Sequence, residues 1–377
     1  MQVSLPSPRH ASALRRQSAA AGTSPAYPLA LALLRLAMPA TLRRVTVEGR
    51  AWVPPEGPLL VVANHHNGAV DPALIALHLG RPLRLTAKST LAQRPVLAAL
   101  FRAFGVICLH RERDRAEGAR PEENSGALES LTAALIAGDA LAIFPEGVSH
   151  DDPGLRRFKH GAAHVALAAA AERPLGPVWL LPCAIRYRGK GRERGQATLR
   201  FGPPIDAADW RRAHPAASPG ELSRLLRDRV QELLPMGVSR RVTRPEAGSK
   251  VWLGALAAWP ALLALLPAFA FSRALSARCS PDRHSAPSWQ LFLLAAALPI
   301  GALAGLTLTS QAWGVEGALL YALTLPLSWS CLWRTLDAVQ EGLARPWTRR
   351  GRRLPGFLTR AWRRFRLAFD LHPLPPL

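Results

Sequence analysis

Cysteine is scarce in this sequence. Only four cysteines occur among 377 residues, far apart and without Cys-X-X-Cys spacing. This distribution argues against a disulfide-stapled secreted scaffold and against a cysteine-based zinc site, and it is compatible with a reducing compartment. The four are Cys108, Cys183, Cys279 and Cys331.

Acidic residues are also few. The chain has 26 Asp and Glu against 48 Lys and Arg, a formal net charge of +22, and residues 1–47 contain no acid at all. Such a balance implies an anionic partner, which could be nucleic acid, an anionic membrane surface or a phosphorylated substrate. Because 49% of the residues are hydrophobic and no helix-turn-helix, RNP or zinc signature is present, we expect a membrane surface and no nucleic acid.

Charge is missing altogether from three stretches near the C-terminus. Residues 251–271 are uncharged but contain two prolines, whereas 291–310 and 317–333 are two charge-free runs separated by six residues. Since about 20 apolar residues span a bilayer, the latter two predict a transmembrane hairpin. For 251–271 we expect a re-entrant or interfacial segment, with a third full span as the alternative. The arginine-rich tail, residues 334–377, should stay in the cytoplasm.

These features divide the chain into four parts. Residues 1–41 form a basic arm with a short interfacial helix near 29–38, which is too short to span a bilayer. The boundaries of the other three parts are 42–240 for a folded domain, 251–333 for the membrane segments and 334–377 for the tail.

Short strand-like runs alternate with helical patterns between residues 42 and 205. This alternation predicts an α/β fold, with helices on the faces of a mixed sheet. We expect Ser125 to cap a helix that ends at Gly138, and Pro182 to mark an edge strand or a bulge, since proline removes a ladder donor. A capping box at Ser218 and Glu221 predicts a last helix to about Leu234. The predicted strands are 43–49, 58–64, 83–88, 105–110, 140–147, 178–187 and 197–204, and the other predicted helices are 72–79, 97–104 and 161–172.

A polar cluster, Asn-His-His-Asn at residues 64–67, follows the second predicted strand, with Asp71 shortly after. A histidine near a carboxylate can act as a general base. Asp71 followed by Pro72 is also a good N-cap with proline at the first helical position, but capping does not explain the other four residues. A metal site is less favoured, because no second cluster completes a coordination sphere.

Three further clusters lie at predicted strand ends. Phe-Pro-Glu-Gly, residues 144–147, precedes a helix that opens at Gly161 and whose N-terminus can hold an anion. Arg111 follows another strand, where the plain alternative is a solvated charge. Pro182 interrupts the predicted strand 178–187.

Taken in order, these clusters resemble the glycerolipid acyltransferase family over about residues 42–210. The first block of that family is Asn-His followed four or five residues later by Asp, here within 64–71. The second is a Gly-led strand ending in Arg, here 105–111. The third is Phe-Pro-Glu-Gly at 144–147, and the fourth is a proline within an apolar strand.

The resemblance implies transfer of an acyl group from acyl-CoA or acyl-carrier protein to a hydroxyl of lysophosphatidate. The family histidine would take the hydroxyl proton, and Asp71 would orient its ring. His65 directly follows Asn64 and stands where a sub-branch with C-terminal membrane segments reads His-Pro-Asn. We therefore take His65 as the base and His66, whose spacing to Asp71 is that of the commonest members, as the alternative.

The same resemblance implies a phosphate pocket. Arg111 would hold the phosphate of the acceptor, Glu146 and Gly147 would shape the pocket, and Lys88 would be a second phosphate contact. The remaining candidates for substrate contact are Asn67, Phe144 and Pro145.

Beyond the donor thioester the resemblance implies no cofactor and no metal. The expected partners are the phospholipid bilayer, the acyl donor and a lysophosphatidate-like acceptor, and the expected location is a bacterial inner membrane with the catalytic domain in the cytoplasm. The alternatives are acylation of glycerol-3-phosphate or of lysophospholipids and, more remotely, an inactive membrane scaffold or a nucleic-acid-binding protein.

Overall fold

The structure is a computed structural model. It describes residues 26–88, 101, 105–109, 122–150, 152, 154–173, 176–188, 195–234, 260, 268, 271–272, 274–275 and 286–344. Several predicted features lie outside this part of the chain, apart from isolated positions. They are the segment 251–271, the helix 97–104, Arg111 and the part of the tail after residue 344.

The described catalytic part is built on a mixed sheet with the order β1-β7-β6-β2-β5, and β8 pairs with β6. β2 is parallel to both β5 and β6, and β1 is parallel to β7, whereas β7 and β8 are antiparallel to β6. The α/β class and the mixed sheet are therefore confirmed. The strands are β1 Leu42–Glu48, β2 Leu59–Ala63, β3 Thr86–Lys88, β4 Ile107–Leu109, β5 Ala140–Ile143, β6 Trp179–Arg188, β7 Gly195–Phe201 and β8 Ile205–Asp206, and β3 and β4 form a separate parallel pair.

Helices pack against this sheet because they carry broad apolar faces. β2 is buried along its whole length, as expected for a strand with parallel neighbours on both sides. Seven of the eleven residues of helix α4 are alanine, and these small side chains allow it to pack closely within the core. The helices are α1 Ala26–Thr41, α2 Val70–His78, α3 Glu122–Ile136, α4 Gly161–Ala171, α5 Ala207–Ala213, α6 Pro219–Leu233 and α7 Ala286–Ala344.

Two local predictions were wrong. Ser125 does not cap α3, because that helix begins three residues earlier, at Glu122. Pro182 lies in β6, an interior strand, and not at an edge. Proline is tolerated there because β8 pairs with β6 at residues 179–180 and β7 pairs with it from Cys183 onward, so Pro182 falls between the two partners.

Helix α1 is apolar on its buried side and on much of its exposed side. Tyr27, Leu34 and Met38 are buried, and the Tyr27 hydroxyl accepts a hydrogen bond of 2.9 Å from the backbone N–H of Leu83. On the opposite side Leu29 is 63% exposed. The interfacial location of this helix stays a prediction.

Helix α7 contains a break at Trp313 and Gly314, whose φ of +65° lies in the left-handed region. A Cβ atom added to Gly305 would lie 2.2 Å from the Tyr321 hydroxyl. A straight helix would separate these two residues by about 24 Å, so the chain reverses at the break and two helical arms pack together. Within the described part of the chain, residues 293–337 form one candidate membrane-crossing helix by length and composition, and the predicted transmembrane hairpin stays a prediction.

Asn64 joins the end of β2 to β6. Its side-chain amide donates to the Ile185 carbonyl at 2.8 Å and accepts from the Ile185 N–H at 2.7 Å. Asn64 is fully buried, so water cannot replace either bond. The side chain therefore extends the β2–β6 ladder beyond its last backbone pair, Ala63 with Cys183.

Replacing Asn64 by Ala should destabilise the protein by about 2–4 kcal/mol, because a buried N–H and a buried carbonyl would both lose their partner. Thermal unfolding followed by tryptophan fluorescence measures the change. Ser130→Ala is the matched control, since its exposed hydroxyl bonds only to Gly126 within α3, and it should cost no more than about 0.5 kcal/mol. Equal melting temperatures for the Asn64 variant and wild type would contradict the proposed tie.

Candidate active site

Two of the predicted blocks meet at one edge of the sheet. Residues 64–67 follow β2 and residues 144–147 follow β5, and these strands are parallel neighbours. Their carboxyl ends therefore point to the same edge, where open α/β sheets form their sites. The backbone N–H of His65 donates to Glu146 Oε1 at 3.1 Å, which joins the two blocks directly.

Asp71 is the centre of the cluster. Its Oδ2 atom accepts hydrogen bonds from His65 Nδ1 at 2.9 Å, from the His66 N–H at 2.8 Å and from the Asn67 N–H at 2.7 Å. Its Oδ1 atom accepts from the Tyr187 hydroxyl at 2.5 Å. The side chain is fully buried, so these four donors replace the water that a carboxylate would otherwise need.

Asp71 does not cap helix α2, contrary to the prediction. The helix begins at Val70, and its N-cap position is Ala69. The Asn67 carbonyl accepts from the N–H groups of both Val70 and Asp71, at 2.9 and 3.1 Å. This turn places Asp71 in the first turn of the helix, from where its carboxylate reaches back to the preceding backbone.

The two adjacent histidines face different partners. The His65 ring contacts Asp71 and stacks on Phe144, with a centroid distance of 4.3 Å and an interplanar angle of 25°. His66 Nδ1 instead lies 3.1 Å from the His150 carbonyl, and its ring meets the His150 ring edge-on. Of the two rings, the structure therefore pairs His65 with the carboxylate.

The contact with Asp71 also assigns the tautomer of His65. Because Asp71 Oδ2 is an acceptor, the proton of a neutral His65 ring belongs on Nδ1, and Nε2 is left with its lone pair. Among the described residues no hydrogen-bond partner is recorded for Nε2. About one-tenth of the His65 side chain is exposed. This arrangement suits an imidazole that accepts a proton from an incoming group.

Glu146 holds the loop below His65. Its Oε1 atom accepts from the His65 N–H, and its Oε2 atom contacts His150 Nε2 and the Arg156 N–H. His150 Nδ1 accepts from the Asp152 N–H at 3.2 Å, which assigns the donor role of a neutral His150 ring to Nε2. The His150 N–H in turn donates to the His65 carbonyl at 3.2 Å.

Gly147 is required by backbone geometry. Its φ of +77° lies in the left-handed region, and an added Cβ would lie 3.2 Å from Lys159 Cε. The Lys159 N–H donates to the Pro145 carbonyl at 2.9 Å. Pro145 and Gly147 thus connect the third block to the segment that precedes α4.

The remaining candidates are only partly described. Lys88 is the last residue of β3 and pairs with Leu109 of β4, whereas Arg111 lies outside the described residues, so their phosphate contacts stay predictions. Asn67 is buried, and its Oδ1 atom has no hydrogen-bond partner in the described part of the chain. No group of three potential metal ligands occurs among the described residues.

Sequence reasoning missed Tyr187 and His150. Tyr187 lies 116 positions from Asp71 in the sequence, and only the pairing of β6 with β2 brings its strand to this edge. Burial, and secondarily the negative charge of Asp71, raise the pKa of Tyr187 well above its ordinary value. His150 follows Glu146 by four residues, and that spacing was the available signal for it.

Comparison with known proteins gives a consistent picture for this region. The acyltransferase family model matches residues 44–186. An uncharacterized acyltransferase of Schizosaccharomyces pombe is 26% identical over 48% of this chain and 39% of its own length. Glycerol-3-phosphate O-acyltransferase 1 of Saccharomyces cerevisiae is 24% identical over 48% and 34%. Human 1-acyl-sn-glycerol-3-phosphate acyltransferase alpha is 27% identical over 43% and 55%.

These matches cover part of each protein. The aligned region is about a third to a half of the length of the relatives, and less than half of this chain. The region that the family model matches, residues 44–186, includes the strands and loops that carry His65, Asp71 and Glu146.

The pKa of Tyr187 can be tested by ultraviolet titration, because the chain contains only three tyrosines. At pH 10 an ordinary tyrosine is about half ionised. Burial and the Asp71 charge disfavour the phenolate, so Tyr187 should remain protonated there. The difference in tyrosinate absorbance between wild type and Tyr187→Phe should be close to zero at pH 10 and should appear only at higher pH. A difference that is half developed near pH 10 would contradict the buried hydrogen bond to Asp71.

Proposed function

We propose that this chain, whose residues 44–186 match the acyltransferase family model, is a glycerolipid acyltransferase that transfers an acyl group from a thioester to the free hydroxyl of lysophosphatidate. The observation that carries the proposal is the 2.9 Å contact between His65 Nδ1 and Asp71 Oδ2, beside the Phe-Pro-Glu-Gly loop. A histidine oriented in this way has the chemistry of a general base, and it needs no redox group.

In the proposed reaction, His65 Nε2 accepts the proton of the acceptor hydroxyl as the oxygen attacks the thioester carbonyl carbon. The new C–O bond forms, and collapse of the tetrahedral intermediate breaks the C–S bond. The proton on His65 then passes to the leaving thiolate, which restores the neutral ring. Asp71 keeps Nδ1–H oriented and stabilises the imidazolium between these two steps.

The neighbouring groups hold this geometry. Stacking on Phe144 limits rotation of the His65 ring, and Glu146 fixes the His65 backbone through the N–H. We assign the phosphate of the acceptor to Arg111 and Lys88, since guanidinium and ammonium groups bind phosphate strongly. Asn67 and Gly147 complete the walls of the pocket in this proposal.

A lipid acceptor is favoured by the apolar surface next to the site. Helix α1, which exposes Leu29 and Leu36, packs against β1 and against α2, the helix that carries Asp71. A helix of this kind can hold the site at the interface of a bilayer, where lysophosphatidate resides and glycerol-3-phosphate does not. The apolar arms of α7 supply a possible membrane anchor, and the arginine-rich tail favours the cytoplasmic face of an inner membrane.

The donor in this proposal is acyl-CoA or acyl-carrier protein. The thioester already activates the acyl group, so the chemistry requires no resident cofactor and no metal.

His65→Ala should lower kcat by about 10²–10⁴-fold, because general-base catalysis contributes that much, whereas His66→Ala should retain activity within about tenfold. Transfer of a radiolabelled acyl group to lysophosphatidate measures both variants. The matched control is His164→Ala, since His164 lies on α4 and is not among the hydrogen-bond partners of Asp71, and it should behave like wild type. Full activity in the His65 variant, with loss in the His66 variant, would reverse the assignment of the base.

The acceptor is tested with lysophosphatidate, glycerol-3-phosphate and lysophosphatidylcholine, each with acyl-CoA and with acyl-carrier protein as donor. We expect lysophosphatidate to give a kcat/KM at least about tenfold above the other two, a difference of about 1.4 kcal/mol in transition-state binding. Turnover of glycerol-3-phosphate in its place would redirect the proposal to the first acylation. No turnover with any acceptor would overturn the enzyme function.

A further inference from the structure

A basic pocket lies between α6 and the segment that precedes α4. It has a volume of about 490 Å³, and its lining includes Arg157, His160, Arg224 and Arg227 but no acidic side chain. Arg157 and His160 belong to the segment before α4, and both arginines 224 and 227 lie on α6. His65, Asp71 and Glu146 do not line this pocket, so it is separate from the His65–Asp71 pair.

The positive charge of this basic pocket is available for a ligand. Within the described part of the chain, neither Arg157 nor Arg224 forms an ion pair. Glu221, one turn before Arg224, already accepts from the N–H and hydroxyl of Ser218, and these bonds lower the pKa of its carboxyl. The Asp228 carboxylate is 3.8 Å from Arg227, on the exposed side of α6.

One member of the pocket is held in place by the fold. The Arg227 guanidinium donates to the carbonyls of Leu155 and Arg156, at 3.2 and 3.4 Å, so its charge is fixed against the segment before α4. His160 Nδ1 is shielded from solvent and has no hydrogen-bond partner among the described residues. A cavity that contains the fixed guanidinium of Arg227 and a His160 ring nitrogen without a partner suits a polar anionic ligand.

Hydrogen bonds connect the segment that lines the pocket to the loop at residues 144–147. The Arg156 N–H donates to Glu146 Oε2, and the Lys159 N–H donates to the Pro145 carbonyl. Arg157 lies between these two attachments. A ligand in the basic pocket would therefore be bound by a segment that is hydrogen-bonded to the loop that holds His65.

We propose that the basic pocket binds the phosphate groups of coenzyme A, the nucleotide part of the acyl donor. Three guanidinium groups suit several phosphates, which coenzyme A carries, better than the single phosphate of lysophosphatidate. A concave pocket of this volume admits a nucleotide. The inference rests on the proposed acyl transfer, because it assigns the donor of that reaction.

The test compares two double variants of the full chain in detergent. Arg157→Gln with Arg224→Gln removes two charges from the pocket. Arg212→Gln with Arg229→Gln removes two charges from exposed arginines that pair with Asp209 and Glu232. Calorimetric titration with coenzyme A should show at least about tenfold weaker binding for the pocket variant, and a change within twofold for the control. Melting temperatures check that both variants are folded, and the Arg224→Gln single variant provides a milder change.

Two further ligands, dephospho-coenzyme A and lipid vesicles, distinguish the possible sources of the phosphate that the pocket binds. Wild type should bind coenzyme A more tightly than dephospho-coenzyme A, and this preference should shrink in the pocket variant. Equal affinity of wild type and the pocket variant for coenzyme A would overturn the proposal. The same holds if the pocket variant loses binding only to vesicles of phosphatidylcholine mixed with phosphatidylglycerol, which would assign the pocket to lipid headgroups.

The outcome is independent of turnover. His65→Ala should bind coenzyme A as tightly as wild type, because the His65–Asp71 pair does not line the pocket. A folded protein that binds coenzyme A through these arginines but acylates no acceptor would overturn the proposed function and leave the pocket intact. An active enzyme whose pocket variant binds coenzyme A normally would overturn the pocket alone.

Discussion

The arrangement of the site depends on the carboxylate of Asp71. A fully buried carboxylate is stable only if hydrogen-bond donors replace its water, and Asp71 has four. Two of them are backbone N–H groups at residues 66 and 67, which fix the turn between β2 and α2. The third is His65, and the fourth is Tyr187 from β6. One side chain thus fixes a turn, orients a ring and ties both to the sheet.

A second pair of polar side chains supports the backbone next to the His65–Asp71 contact. Glu146 and His150 are buried together, and each bonds to the backbone of His65, one at the N–H and the other at the carbonyl. The loop after β5 and the loop after β2 are thereby joined on both sides of the residue whose ring contacts Asp71. Precise placement of a general base requires this kind of support, because proton transfer depends on a distance of about 3 Å.

The sequence contained enough information for the class of fold and for the meeting of two blocks. Alternating strand and helix patterns predicted the α/β sheet, and the positions of residues 64–67 and 144–147 after two strands predicted a shared edge. The choice between His65 and His66 could not be settled in this way, since neither spacing to Asp71 repeats a helical turn. The contact of Tyr187 with Asp71 could not be predicted from the sequence, because it depends on long-range strand pairing. Pro182 was misplaced because the gap between β7 and β8 is a property of the assembled sheet.

The central claim is that His65, and not His66, donates its Nδ1 proton to Asp71. Nuclear magnetic resonance of protein labelled with ¹⁵N-histidine, dissolved in detergent, tests it directly through the low-field imidazole N–H proton that such a bond produces. The account predicts one such Nδ1–H signal that is lost in Asp71→Asn and His65→Ala and retained in His66→Ala. A signal that persists without His65 and disappears without His66 would contradict it.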